Sequence, residues 1–312
     1  MKNRIVRSVL LAGAWPLLCL AQSAAPAPVT SYMVVTIGHH YGVDSPALTK
    51  EDLTIVTPTY EPLAVTNLVP LRGDRAALEL YIVVDNCSSC EPGTKFQELS
   101  RFIGSQAATT AVGVAYLTNG KLTVAETPTF DHALAVKALS PPTGSKPASP
   151  YEGLKALIGN WHGTSSRRAV VMITNGINPA PSAKAMDPLA EAAIEAAQRA
   201  GVTVYAIYHP SADYIRGDAS AIYDGQVQMA HVTHDTGGEA YFMGFGPLPS
   251  IAPFLADISD HLSNQYLLEF LANPTGKNGA LQELTVKARN ADLELMVPER
   301  AWVPAKAPEA GR

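Results

Sequence analysis

From residue 77 onward the chain is built of short, continuously apolar runs, each followed by a stretch with helical spacing. No other feature narrows the possible folds as far. A strand that alternates apolar and polar residues keeps one face in water, whereas an unbroken apolar run needs cover on both faces. Runs of the second kind fall at residues 78–84, 110–116, 169–174, 202–208 and 239–243. Helical spacing fills the intervals at 95–105, 151–160, 226–235 and 251–264. It is clearest after Asp187-Pro188, where an N-cap and a first-turn proline precede Leu189, Ala193, Ile194 and Ala197, and where Gly201 stops the helix. Strand, helix, strand in that order requires right-handed crossovers, so the predicted fold is α/β with a doubly wound, Rossmann-like, mostly parallel sheet.

The flanks read differently. Residues 31–37 and 53–56 are β-rich, as are 266–271, 282–288 and 293–297, which predicts a β extension on each side of the α/β unit that can pack together. Residues 140–150 hold four prolines and a glycine and read as a loop. At the N-terminus, Lys2, Arg4 and Arg7 precede an apolar stretch and the small residues Ala21-Gln22-Ser23, the three-part layout of a cleaved secretory signal. The expected organisation is therefore a signal peptide at 1–23, a linker at 24–30, an N-terminal β extension at 31–75, the α/β domain at 76–265, a C-terminal β extension at 266–303 and a disordered tail at 304–312. The mature chain is expected to be secreted or periplasmic, with no transmembrane segment. Cleavage would remove three basic and no acidic residues, moving the formal charge from −5 to −8. Such a balance argues against a surface that tracks nucleic-acid phosphates.

In an open α/β sheet, ligands sit beyond the carboxyl ends of the strands. Two segments leave such ends: Asp85-Asn86-Cys87-Ser88-Ser89-Cys90 and Thr174-Asn175-Gly176. The run Asp85-Asn86-Cys87-Ser88-Ser89 resembles the Asp-x-Ser-x-Ser loop of von Willebrand factor A domains, and Thr174-Asn175-Gly176 is similar to that family's Thr-Asp-Gly. Residues 47–56, the Thr236-Gly237-Gly238 turn and Asn264-Gln265-Tyr266 extend the resemblance to a bacterial exported subgroup of the family, over residues 30–303. The resemblance implies an A-type domain that meets a partner protein through a metal-ion-dependent adhesion site. There an Asp, two Ser hydroxyls, a Thr and a second Asp coordinate or orient a hard cation, usually magnesium. Asp85 and Ser89 match that pattern. Cys87 stands in place of the first serine, Asn175 in place of the second aspartate, and the threonine position falls on Ala148 or Ser149. Thiol sulfur is too soft for magnesium, and an amide removes a full negative charge. The expected site is a degenerate one of Asp85, Ser89, Ser149 and Asn175, holding Mg2+ weakly if at all and needing no other cofactor.

The function expected from this reading is non-catalytic: adhesion or scaffolding toward an unidentified protein partner, through a rim of Asp85, Asn86, Ser88, Ser89, Ser149 and Asn175. The competing expectation is an enzyme of thiol–disulfide exchange. Cys87 and Cys90 form a C-x-x-C at a strand-to-helix junction, where a helix N-terminus favours thiolate, and Thr127-Pro128 is a candidate for the proline loop that faces such a motif. In an oxidising compartment the same pair is expected as a structural disulfide. His231, His234 and Asp235 share a helical face without a further ligand, and are expected in solvent rather than on zinc. No Gly-x-Ser-x-Gly elbow, P-loop or dinucleotide-binding glycine pattern occurs.

Overall fold

Four of the apolar runs become the inner strands of a six-stranded sheet, and the fifth becomes an edge strand. The computed structural model describes residues 27–38, 47–85, 93–140, 146–162, 167–180, 186–209, 219–242, 249–290 and 293–305. The signal-peptide reading and the Cys87–Cys90 pair lie outside these residues. In chain order the elements are β1 (Val29–Gly38), β2 (Leu53–Val56), β3 (Pro62–Leu63), β4 (Val65–Pro70), β5 (Leu78–Asp85), α1 (Gly93–Gly104), β6 (Thr110–Thr118), β7 (Lys121–Thr129), α2 (His132–Lys137), α3 (Pro150–Gly159) and β8 (Arg168–Thr174). They continue as α4 (Pro188–Ala200), β9 (Val202–Tyr208), α5 (Ala219–Asp235), β10 (Ala240–Tyr241), α6 (Ala252–Ser263), β11 (Gln265–Ala272), β12 (Ala280–Glu283), β13 (Thr285–Ala288), β14 (Glu294–Met296) and β15 (Arg300–Val303). Among the described residues no helix is long and apolar enough to cross a membrane.

The main sheet runs β10-β9-β8-β5-β6-β7, with every neighbouring pair parallel except β6 and β7. Every residue of β6 and β9 is buried, as a strand covered on both faces requires. One face packs against α3, α4 and α5 through Tyr151, Leu154, Ile194, Ala197, Met229 and Val232. The other meets α1, α2 and α6 through Leu99, Ile103, Ala135, Leu255 and Ile258. The sheet is thus doubly wound. From β5 the chain builds outward through β6 and β7, then returns to lay β8, β9 and β10 on the other side, so the switch point falls between β5 and β8.

β7 is the strand that the apolar pattern does not reveal. It pairs antiparallel with β6 at the sheet edge and has no buried residue, and the register slips twice along it. Pro128 is tolerated there because an edge strand at a bulge need not supply every N–H. Pro150 is the first residue of α3 rather than the end of a loop, with Ser149 as its N-cap. α4 runs from the Asp187 cap, whose Oδ1 accepts from Leu189 N at 2.8 Å, to Gly201 in the left-handed conformation at φ 64.

Both flanks contribute to a second layer. β1 lies between β11 and β14, with β4 beyond β11, while β13, β2 and β3 form a smaller sheet and β12 pairs with β15. Ordered structure begins earlier than the linker reading allows: Val29 and Thr30 pair with Ala272 and Leu271, because Val29 has an apolar core to enter. Buried Arg167 and Gln265 fasten this layer to the α/β body. Arg167 Nε donates to Gln265 Oε1 at 2.7 Å, and its other nitrogens donate to the carbonyls of Leu71, Ala76 and Leu262. Gln265 Nε2 in turn donates to Thr36 Oγ1 and to the Tyr205 hydroxyl, so one side chain touches β1 and β9 at once.

Candidate functional site

The carboxyl ends of β5 and β8 flank the switch point, and Asp85 and Thr174 are the last residues of those strands. Their side chains meet. Thr174 Oγ1 donates to Asp85 Oδ2 at 3.0 Å and accepts from Gly176 N at 3.2 Å. The Asn175 N–H also donates to the Asp85 carboxylate. Asn175 turns its side chain back on its own loop, with Oδ1 accepting from Ile177 N at 2.9 Å. Ser149 approaches from the N-terminus of α3, where Oγ accepts from Glu152 N at 3.4 Å.

Several contacts hold this loop in place. The Tyr151 hydroxyl donates to Gly176 O at 2.6 Å. Gly176 sits at φ +68, and a Cβ there would lie 2.5 Å from both Gly225 O and Met229 Sδ, so the loop and α5 touch backbone to backbone. Further along, Asn178 Nδ2 donates to Asp187 Oδ2 at 2.7 Å, and Asp187 N donates to Gln228 Oε1 at 3.0 Å. Loop, α4 and α5 therefore share one buried polar network.

Of the residues expected at the site, Asp85 and Asn175 meet at the strand ends and Ser149 caps α3, whose Tyr151 reaches the same loop, while Asn86, Cys87, Ser88, Ser89 and Cys90 lie outside the described residues. Asp85, Asn175 and Ser149 are 8%, 6% and 7% exposed. They floor the crevice instead of standing on its rim, because each side chain is spent on a hydrogen bond inside the fold. Burial raises the Asp85 pKa from 3.8 to about 6, against the lowering effect of the Thr174 and Asn175 hydrogen bonds.

The described part of this donor set falls short of what a hard divalent cation gathers. Among the described residues it offers one carboxylate, an amide oxygen already bonded to a backbone N–H and a hydroxyl engaged as a helix cap. Magnesium and calcium sites gather several anionic or carbonyl oxygens free to turn toward the ion.

Features that the sequence did not single out lie toward the same end of the sheet. Tyr223, near the start of α5, is 65% exposed, and Phe242, just past the carboxyl end of β10, is 36% exposed with its ring 5.9 Å from that of Tyr208. Lys95 of α1 bonds through Nζ to Nε2 of His209, which follows β9. No period in the sequence signals these residues; only the sheet order places them at one end. Thr127-Pro128 can be placed against Asp85, the last described residue before the Cys87 segment. It lies in β7 near the level of Val112, whereas Asp85 pairs with Leu117 at the far end of β6. The separation is about 15 Å along the sheet and two strands across it. His234 is exposed and bonds Asp235 through Nδ1 at 3.0 Å.

Neither a protein-family model nor a curated protein matches the sequence. Solved structures do match. An aerotolerance-related membrane protein from Bacteroides fragilis, carrying multiple mutations to serine, is 14% identical, with a TM-score of 0.44 over 59% of this chain and 98% of its own. The vWF domain of the type V pili tip protein Mfa5 from Porphyromonas gingivalis is 11% identical, with a TM-score of 0.42 over 63% and 95%. The SpRpn10 VWA domain is 13% identical, with a TM-score of 0.40 over 58% and 94%. This chain is similar to von Willebrand factor A domains of solved structure. The likeness is loose, and the chain's own residues decide what its crevice can do.

Proposed function

We propose that the protein is a non-catalytic binding module that docks a protein partner on the carboxyl end of its main sheet, without a bridging cation. The observation that carries this reading is the pairing of a buried, internally bonded polar floor with exposed aromatic side chains toward the same end of the sheet. Tyr223 and Phe242 offer apolar area with little rotamer freedom to lose, the kind of side chain that anchors protein interfaces. Asp85 and Asn175 brace the loop that follows β8, and Gly176 of that loop packs against α5, the helix that carries Tyr223. A partner carboxylate would find no ion to complete, so recognition rests on shape and hydrogen bonding. Adhesion or scaffolding outside the cytoplasm is the role that suits such a surface together with the leader-like N-terminus.

Photo-crosslinking tests the proposal. A benzophenone side chain placed at position 223 or 242, with position 60 of the β extension as an exposed control, is incubated with extract and medium from the producing cells. The expected result is one discrete adduct from 223 and 242, absent from 60 and unaffected by chelator or by Cys87→Ser. Adducts of equal yield at all three positions, or an adduct abolished by chelator, would refute it. Insulin reduction that is lost in Cys87→Ser would replace it with thiol–disulfide exchange.

A further inference from the structure

A second polar cluster lies on the opposite side of the main sheet from α5, where α6 packs near β10. His261 and Asp257 are four residues apart on α6 and so share one helical face. Glu239, just before β10, completes a triangle whose ligand atoms all lie within 4.8 Å of one another. His261 Nδ1 is 3.8 Å from Glu239 Oε2, and His261 Nε2 is 3.8 Å from Asp257 Oδ2. We propose that Glu239, Asp257 and His261 form a binding site for a zinc-class divalent ion, with water in the remaining coordination position.

The ligand chemistry selects that class. One imidazole and two carboxylates make a three-ligand set of the kind that zinc accepts in open sites, at about 2.0 to 2.2 Å from each donor. Magnesium is disfavoured because it binds imidazole poorly and demands more oxygen donors. Closing on an ion requires Glu239 and Asp257 to turn toward one and the same ring nitrogen of His261, and their side chains, 46% and 41% exposed, have room to do so.

The imidazole is already oriented. Its side chain is 5% exposed, it stacks on Tyr205 with ring centroids 6.1 Å apart, and the Tyr241 hydroxyl lies 3.3 Å from Nδ1. That same hydroxyl donates to Asp257 Oδ2 at 2.7 Å, and so positions one ligand against another. Such outer contacts fix ring orientation in metal sites.

The position gives the ion a structural consequence. α6 leads directly into β11, the strand whose Gln265 joins the two layers. An ion linking Glu239 to α6 would fasten β10 to that helix and resist separation of the seam.

The test uses chelator-treated full-length protein titrated with Zn2+ by calorimetry and with Co2+ by visible absorption, alongside Glu239→Gln and Asp257→Asn. The expected result is one equivalent of Zn2+, a higher Tm with the ion, and a Co2+ ligand-field band. Both variants should keep the ion-free Tm yet bind at least about tenfold more weakly. Absence of binding overturns the proposal, and so does binding that survives either substitution, since that would place the ion elsewhere, for instance on exposed His231 or His234.

Discussion

Asp85→Asn separates a carboxyl strained by burial from one held ionised by a cation more sharply than any other substitution. In the folded chain the Asp85 pKa stands at about 6, against an ordinary 3.8. The native state thus keeps its proton over a range where the unfolded chain has lost it, and stability falls as pH rises through that window. At about 1.4 kcal/mol per unit, the shift corresponds to a penalty of about 3 kcal/mol, absent below about pH 4 and fully present above about pH 6. Asparagine carries no such penalty. It offers one acceptor oxygen to two donors, the Thr174 hydroxyl and the Asn175 N–H, and losing one match costs about 1 kcal/mol. Urea unfolding should find the variant less stable than wild type by about 1 kcal/mol near pH 4 and more stable by about 1 to 2 kcal/mol near pH 7.5. A difference with the same sign and size at both pH values would refute the reasoning, because it would mean that Asp85 is already ionised and supported by a positive charge.

Other consequences follow from named contacts. Gly176→Ala forces a Cβ against Gly225 O and Met229 Sδ at positive φ, and should destabilise the protein by about 3 kcal/mol in denaturant unfolding. Arg167→Met leaves Gln265 Oε1 and the carbonyls of Leu71, Ala76 and Leu262 without their donor, and should cost about 3 kcal/mol or more, seen as a lower Tm and faster proteolysis at the layer junction. Asp187→Ala removes both the α4 cap and the acceptor of Asn178, for a loss of about 2 kcal/mol by the same unfolding assay.

The parts of the fold that the sequence reveals are those fixed by a single physical demand. The middles of β5, β8 and β9 are apolar because both faces are covered, and α4 announces its ends with Asp187, Pro188 and Gly201. β7 stays hidden because an edge strand packed on few neighbours needs no apolar pattern and tolerates Pro128. α5 begins seven residues before the expected 226, since Gly225 reads as a breaker but serves the close approach to Gly176. At the candidate site, Asp85 and the Thr174-Asn175-Gly176 turn are readable because strand ends and motif spacing coincide. Their burial is not readable, because it depends on what α3 and α5 bring over them. Tyr223, Phe242 and the Glu239, Asp257 and His261 cluster come from separate elements without regular spacing, so only the sheet order unites them.

The most direct test of a floor without a cation is calorimetric titration of Mg2+ into the Glu239→Gln protein near neutral pH, so that the α6 cluster cannot contribute. The account predicts no saturable heat below about 1 mM. Tight, saturable binding that disappears when Asp85→Asn is added would contradict it.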